Sequence, residues 1–127
     1  MILIIGGAYQ GKLDFALENF GLNTNDVFNC EEQYDKIKKD KKIIDNLDKL
    51  ILRLVYAGKD EDEIIKQIDD ETANAMVVIY TDHSQGIVPL KREDRTFREI
   101  GGRIMTRLAA KSSEVYRIFC GLPQQLK

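Results

Sequence analysis

The densest chemistry in the sequence is Gly6-Gly-Ala-Tyr-Gln-Gly11-Lys12, which follows the apolar run Ile2–Ile5 and opens a stretch of helical spacing. Glycines at a strand-to-helix turn let backbone N–H groups converge on an anion, and the helix N-terminus adds its partial positive charge. In this spacing Gly6, Gly7, Ala8, Tyr9, Gln10, Gly11, Lys12 and Leu13 would wrap a phosphate, with Lys12 reaching the β and γ groups of a nucleotide. The hydroxyl residue that ordinarily follows such a lysine and touches Mg²⁺ is here Leu13. Its loss removes one metal ligand, which should lower catalysis more than binding. The plain alternative is a glycine-rich turn whose lysine is merely solvated.

Other positions could join that loop. Asp45 closes the short apolar segment Lys42-Ile-Ile-Asp45. A carboxylate at the C-terminal end of a strand beside a phosphate loop is where a Mg²⁺-orienting Asp belongs. Asp45 reads equally well as the N-cap of the next helix, and one residue can do both. Thr81-Asp82-His83-Ser84 follows the apolar strand Met76–Tyr80, at the ligand-facing edge of the sheet. His83 is the only histidine and is read first as a loop residue, with Asp82 the better candidate for contact with a ligand or metal. Lys36, Lys38, Lys39, Lys41 and Lys42 read as a solvated face, or else as a patch for phosphate or an acidic partner. Cys30 and Cys120 read as small core residues of strands. Arg92, Arg95, Arg98, Arg103 and Arg107 flank or lie on one helix, where surface pairing with Glu93, Asp94 and Glu99 is the simplest reading.

The elements that must position these groups follow from periodicity. Leu13, Ala16, Leu17 and Phe20 mark a helix ended by Gly21. Val27–Cys30 and Lys42–Asp45 read as short strands. Leu47, Leu50, Ile51, Leu54 and Val55 form a helical stripe ended by Gly58. Asp60 and Glu63 stand in capping-box relation before Ile64, Ile65 and Ile68. A long helix through Phe97, Ile100, Ile104 and Leu108 leads to a last strand, Val115–Cys120. The order β-α-β-β-α-α-β-α-β, with strands too apolar to face water on one side, predicts an α/β domain with a mainly parallel sheet covered on both faces.

Composition bounds the rest. The chain has 127 residues, 19 basic and 21 acidic, for a net charge of −2. That length suits one domain, 1–127, that folds without a disulfide or metal staple. The charge balance gives no reason to expect nucleic acid or an anionic membrane as partner. No apolar run approaches the ~20 residues of a membrane span. With no basic segment ahead of Ile2 the start does not read as a signal peptide, so cytoplasmic residence is expected.

Longer stretches carry a resemblance. Met1-Ile-Leu-Ile-Ile-Gly-Gly-Ala8 with Gly11-Lys12 opens the chain. Gly86-Ile-Val-Pro89, Phe97-Arg-Glu-Ile-Gly-Gly-Arg103, Arg107-Leu-Ala-Ala110, Glu114-Val115, Gly121-Leu-Pro123 and Lys127 follow in one order. This pattern resembles the bifunctional adenosylcobinamide kinase / adenosylcobinamide-phosphate guanylyltransferase family of cobalamin biosynthesis, closely over 1–18 and 76–127 and loosely between. The resemblance implies a RecA-like P-loop NTPase fold in three layers, GTP or ATP with Mg²⁺, and a corrinoid, adenosylcobinamide, as acceptor. It implies phosphorylation of the corrinoid's aminopropanol hydroxyl and then transfer of GMP to that phosphate. In this reading Lys12 and Asp45 are catalytic, and Asp45 holds the metal. The family's guanylylated histidine lies on a helix soon after the second strand, whereas Cys30–Lys42 contains none. The guanylyltransferase half is therefore expected to be lost. The alternative is a catalytically inactive relative that binds nucleotide, corrinoid or protein as a regulatory subunit. A homo-oligomer fits either reading.

Overall fold

The central strand of the molecule is β1, Ile2–Gly6, and its apolar residues are buried because both faces and both edges are covered. The computed structural model describes residues 1–83 and 91–127. After β1 come α1 (Lys12–Asn19), a 3-10 turn (Thr24–Asp26), β2 (Val27–Asn29), β3 (Ile43–Asp45), α2 (Leu47–Tyr56) and α3 (Glu61–Thr72). Then follow β4 (Val77–Thr81), α4 (Arg92–Lys111), β5 (Glu114–Phe119) and β6 (Leu122–Gln125). The sheet order is β2-β3-β4-β1-β5-β6, with every neighbouring pair parallel except β5 and β6.

The strands alternate their side chains between two cores, as the two-residue period of a strand requires. Leu3, Ile44, Val78, Tyr80 and Val115 face α2, α3 and α4. Ile2, Ile4, Ile43, Val77, Ile79 and Ile118 face α1, where Phe15, Phe20 and Tyr116 form an aromatic cluster. Helices on both faces of a mostly parallel sheet make the three-layer α/β arrangement of a P-loop NTPase-like fold. One strand, β4, lies between β1 and β3.

Four details differ from the reading by periodicity. The last strand does not stand alone: Leu122–Gln125 returns antiparallel along β5, with Ile118 opposite Pro123. The two-residue loop between them has φ of 51° at Cys120 and 75° at Gly121, the backbone of a type I′ hairpin turn. Cys120 is therefore an exposed turn residue and not part of the core, while Cys30 is fully buried, its thiol pushed up to about 12 by burial. The N-cap of α2 is Asn46, in left-handed conformation, and Asp45 remains inside β3. The α4 cations reach across to α3: Arg103 pairs with Glu61, while Arg107 and Lys111 both reach Asp69, at 2.7 and 2.6 Å.

Two predictions follow from how α4 is held. A Cβ on Gly101 would lie 2.3 Å from the Tyr80 hydroxyl but at an ordinary 3.6 Å from its ring carbon. Gly101→Ala should lower stability by about 1–3 kcal/mol in chemical denaturation, and Tyr80→Phe in the same chain should restore most of that loss. Arg107 above all, with Lys111, holds the Asp69 carboxyl below its ordinary range despite partial burial. Such a carboxylate stabilises the fold above the usual carboxylate range and ceases to do so as pH falls through its lowered folded value. Asp69→Asn should therefore cost about 0.5–1 kcal/mol near neutral pH, and the difference from wild type should vanish in acid.

Candidate functional site

In an open parallel sheet, loops leaving the carboxyl ends of the strands form the ligand crevice. Here β1 and β4 end level, with Gly6 opposite Thr81, and β3 ends beside β4. A cavity of about 330 Å³ opens off these ends. Its wall is the loop Ala8–Gly11 with the head of α1, and Asp45, Thr81 and His83 close it from the other strands.

The glycine-rich loop is clamped from behind by the β5–β6 hairpin. A Cβ on Gly6 would lie 2.6 Å from the Ile118 carbonyl oxygen, so only glycine lets β1 turn away there. Gln10 accepts two hydrogen bonds from the hairpin turn: Gly121 N–H donates to its backbone carbonyl (2.9 Å) and Cys120 N–H to its Oε1 (2.6 Å). Gly11 caps α1 with φ 89° and no side-chain acceptor, leaving the first turn to offer backbone donors to an anion. Tyr9 also has positive φ, 59°, and its ring is fully exposed at the loop tip. Leu13 lines the cavity and packs into the α1-side core.

Lys12 is buried, and its ammonium donates to the Gly7 carbonyl at 2.5 Å. Burial pulls its pKa down, while Asp45 and then Asp48 oppose that shift. Asp45 is buried too: desolvation pushes its carboxyl up, against the Asn46 N–H (2.9 Å, on Oδ1) and the charge of Lys12. Asn46 is in turn fixed by its Nδ2 donating to Asn29 Oδ1 at 3.0 Å. One buried cation and one buried carboxylate thus share the cavity wall.

The residue that periodicity overlooks is Asp48. It is wholly buried and uses both oxygens: Oδ1 accepts Thr81 N–H at 3.2 Å, and Oδ2 lies 2.9 Å from His83 Nε2. Its position three residues before Ile51 and seven before Val55 puts it on the edge of the apolar stripe of α2, the only signal the sequence offers. His83, read first as a loop residue, is held between Asp48 and the Phe97 ring, 5.6 Å away. Asp82 is turned elsewhere. Its N–H donates to Gly6 O at 2.9 Å, and it lines a separate hollow of about 230 Å³ with Gly6, Gly7, Gln10, Arg117 and Phe119. Among the described residues, no three His, Cys, Asp or Glu side chains form a ready-made metal cage.

The clamp predicts a sensitive position. In Gly6→Ala the new methyl meets backbone and not a movable side chain, so stability should fall by about 1–3 kcal/mol. The Ile118 and Cys120 amide signals in NMR spectra should shift with it, whereas Gly58→Ala, with open space around its Cβ, should leave them in place.

Comparison with known proteins agrees with this architecture. The family model described as cobinamide kinase / cobinamide phosphate guanyltransferase matches residues 23–126. The matched stretch takes in the middle of the chain, where the likeness read from the sequence is loosest, and begins after the glycine-rich loop. The bifunctional adenosylcobalamin biosynthesis protein CobU of Salmonella typhimurium is 34% identical over 68 residues, which is 54% of this chain and 38% of that relative. The match thus spans well under half of that protein's length. With most of its length matched, from before β2 through β6, the chain belongs to the cobinamide kinase / cobinamide phosphate guanyltransferase family.

Proposed function

We propose that residues 1–127 act as a single P-loop nucleotide-binding domain that takes GTP or ATP with Mg²⁺ and transfers a phosphoryl group to the hydroxyl of a corrinoid, cobinamide. The observation that carries this reading is the pairing of buried Lys12 and Asp45 on one cavity whose wall is a clamped glycine-rich loop. Phosphoryl transfer asks little covalent chemistry of a protein and much positioned charge. The backbone from Gly6 to Leu13 would hold the phosphates at the head of α1. Lys12 would exchange the Gly7 carbonyl for phosphate oxygens, which compensate a buried ammonium better than a neutral carbonyl does.

The donor set fits Mg²⁺. That ion takes oxygen ligands, commonly one or two carboxylates with substrate phosphates and water. Asp45 offers a buried carboxylate on the cavity, and its Oδ1 accepts a hydrogen bond from its neighbour's N–H. When bound, the metal would neutralise charge on the phosphates. Asp82 and His83 are proposed as further ligand contacts, on opposite sides of the loop.

The guanylyl-transfer half of the family's chemistry is proposed to be absent. Cys30–Lys42 carries no histidine, and the one histidine in the chain is bound through Nε2 to Asp48. Cytoplasmic residence, without nucleic-acid or membrane partners, belongs to the same proposal; among the described residues no helix is long and apolar enough to cross a membrane. A second reading, a non-catalytic nucleotide-, corrinoid- or protein-binding relative, is favoured by one observation: Leu13 puts an alkyl group where a metal-binding hydroxyl would stand.

Isothermal titration with GTP and with ATP in Mg²⁺ should show binding, which Lys12→Ala weakens at least about tenfold, the equivalent of ~1.4 kcal/mol. No binding of either nucleotide would overturn the proposal. Labelled GTP should leave no covalent GMP on the protein, and labelled phosphate appearing on cobinamide separates the kinase from the non-catalytic reading.

A further inference from the structure

A second cavity adjoins the first. It has a volume of about 250 Å³, and among the described residues it is lined by Leu52 and Phe97 with Asp48, Lys49, Asp94, Arg98 and His83 around them. His83 and Lys49 line both cavities, so the two meet at these side chains. The first cavity is walled by backbone donors and Lys12. The second has an alkyl and an aromatic wall, which suits an organic group better than another phosphate.

His83 is built to accept a proton at that junction. Asp48 is fully buried, and its two oxygens are taken by the Thr81 N–H and by His83 Nε2, so the carboxylate cannot swing away without abandoning a backbone donor. A carboxylate only accepts hydrogen bonds, so Nε2 carries the proton, and in the neutral form of such a ring Nδ1 carries the lone pair. The ring is 40% exposed on its side chain, whereas Asp48 is completely enclosed. Phe97 bounds the imidazole at 5.6 Å, restricting its rotation. This is an oriented base: a buried acid sets the tautomer, and an apolar ring helps set the plane.

Resting on the phosphoryl-transfer reading above, we propose that His83 is the proton acceptor for the acceptor alcohol and that the cavity beside Leu52 and Phe97 is where this alcohol docks. The hydroxyl O–H breaks, with its proton passing to His83 Nδ1, while the oxygen forms a bond to the γ-phosphorus. The bond from that phosphorus to the β–γ bridging oxygen breaks, and its electron pair leaves with the nucleoside diphosphate. The imidazolium, stabilised by the Asp48 carboxylate, then returns its proton to water. Asp48, with both oxygens taken by Thr81 N–H and His83 Nε2, acts through the imidazole and is a positioning residue. Neither residue belongs to the glycine-rich loop, although His83 borders the phosphate cavity as well as the second one.

The test measures nucleotide binding by titration and transfer from Mg²⁺-GTP and Mg²⁺-ATP to cobinamide, and to water, in the full chain. His83→Gln should lower kcat by about 10²–10⁴-fold, far more than it changes nucleotide affinity. Added imidazole should restore part of the rate in His83→Gly. Because His83 is the only histidine, its ring ¹⁵N signals can be assigned directly. They should report the Nε2–H tautomer in wild type, and Asp48→Asn should lose that preference together with kcat. Wild-type turnover in His83→Gln, a defect confined to nucleotide affinity, or an Nδ1–H tautomer in wild type would each overturn the proposal. So would a wild-type chain that binds nucleotide yet transfers phosphate to neither cobinamide nor water. Failure to bind nucleotide at all would instead sink the reading on which the proposal rests.

Discussion

β1 is hydrogen-bonded along its length to β4 on one side and to β5 on the other, and this double pairing decides where the glycine-rich loop begins. The chain leaves β1 at Gly6 against the Ile118 carbonyl of β5, where no side chain fits. Four residues later Gln10 is caught by the turn that reverses β5 into β6. The loop is thus fixed at its root and near its end, and the exposed Tyr9 between them is held with positive φ. A loop fixed at two points holds its backbone in one arrangement, and such preorganisation would reduce the ordering cost of a ligand bound there.

The charges at this edge are arranged by burial as much as by contact. Lys12, Asp45 and Asp48 are all withdrawn from water, and a buried ionic group costs several kcal/mol unless it is compensated. Asp48 is satisfied by a backbone N–H and the imidazole, Asp45 by the Asn46 N–H and the charge of Lys12, and Lys12 by a carbonyl. Lys12 has in addition the charges of Asp45 and Asp48 near it. Its hydrogen-bond partner is a neutral carbonyl, in contrast to Asp48, which is held by a backbone N–H and the imidazole.

Family membership and local chemistry point to different degrees of likeness. The elements from β2 to β6 carry the family match, and the sheet order they build brings β1, β3 and β4 to one edge. Yet Leu13 and the histidine-free Cys30–Lys42 segment depart from the chemistry that the resemblance implies. Meanwhile the Asp48–His83 pair supplies an acid–imidazole couple of this chain's own at the same edge. A shared scaffold can thus keep the crevice while the groups that furnish it change.

Most of the fold was legible because its elements are long in period and apolar in content. The stripe of α2, the capping box of Asp60 and Glu63, and the runs of β1 and β4 each declare themselves within a dozen residues. The places of the glycine-rich loop and of Asp45 were legible for the same reason, since strand, turn and helix are contiguous around them. β6 was not, because Leu122-Pro-Gln-Gln125 has a single leucine and no alternation and is a strand only by pairing with β5. Cys120 and Gln10 stand 110 positions apart, and no local pattern could join the hairpin turn to the loop. Asp48 has no local mark of its role: packing closes over it and sets His83, 35 residues on, against its carboxylate. The sequence by itself determined most of the elements, the sheet type and a glycine-rich strand-to-helix turn, because these depend on neighbours in the chain. Only the tertiary structure decided which charges are buried and which side chains meet, because desolvation and contact depend on what the fold brings from far along it.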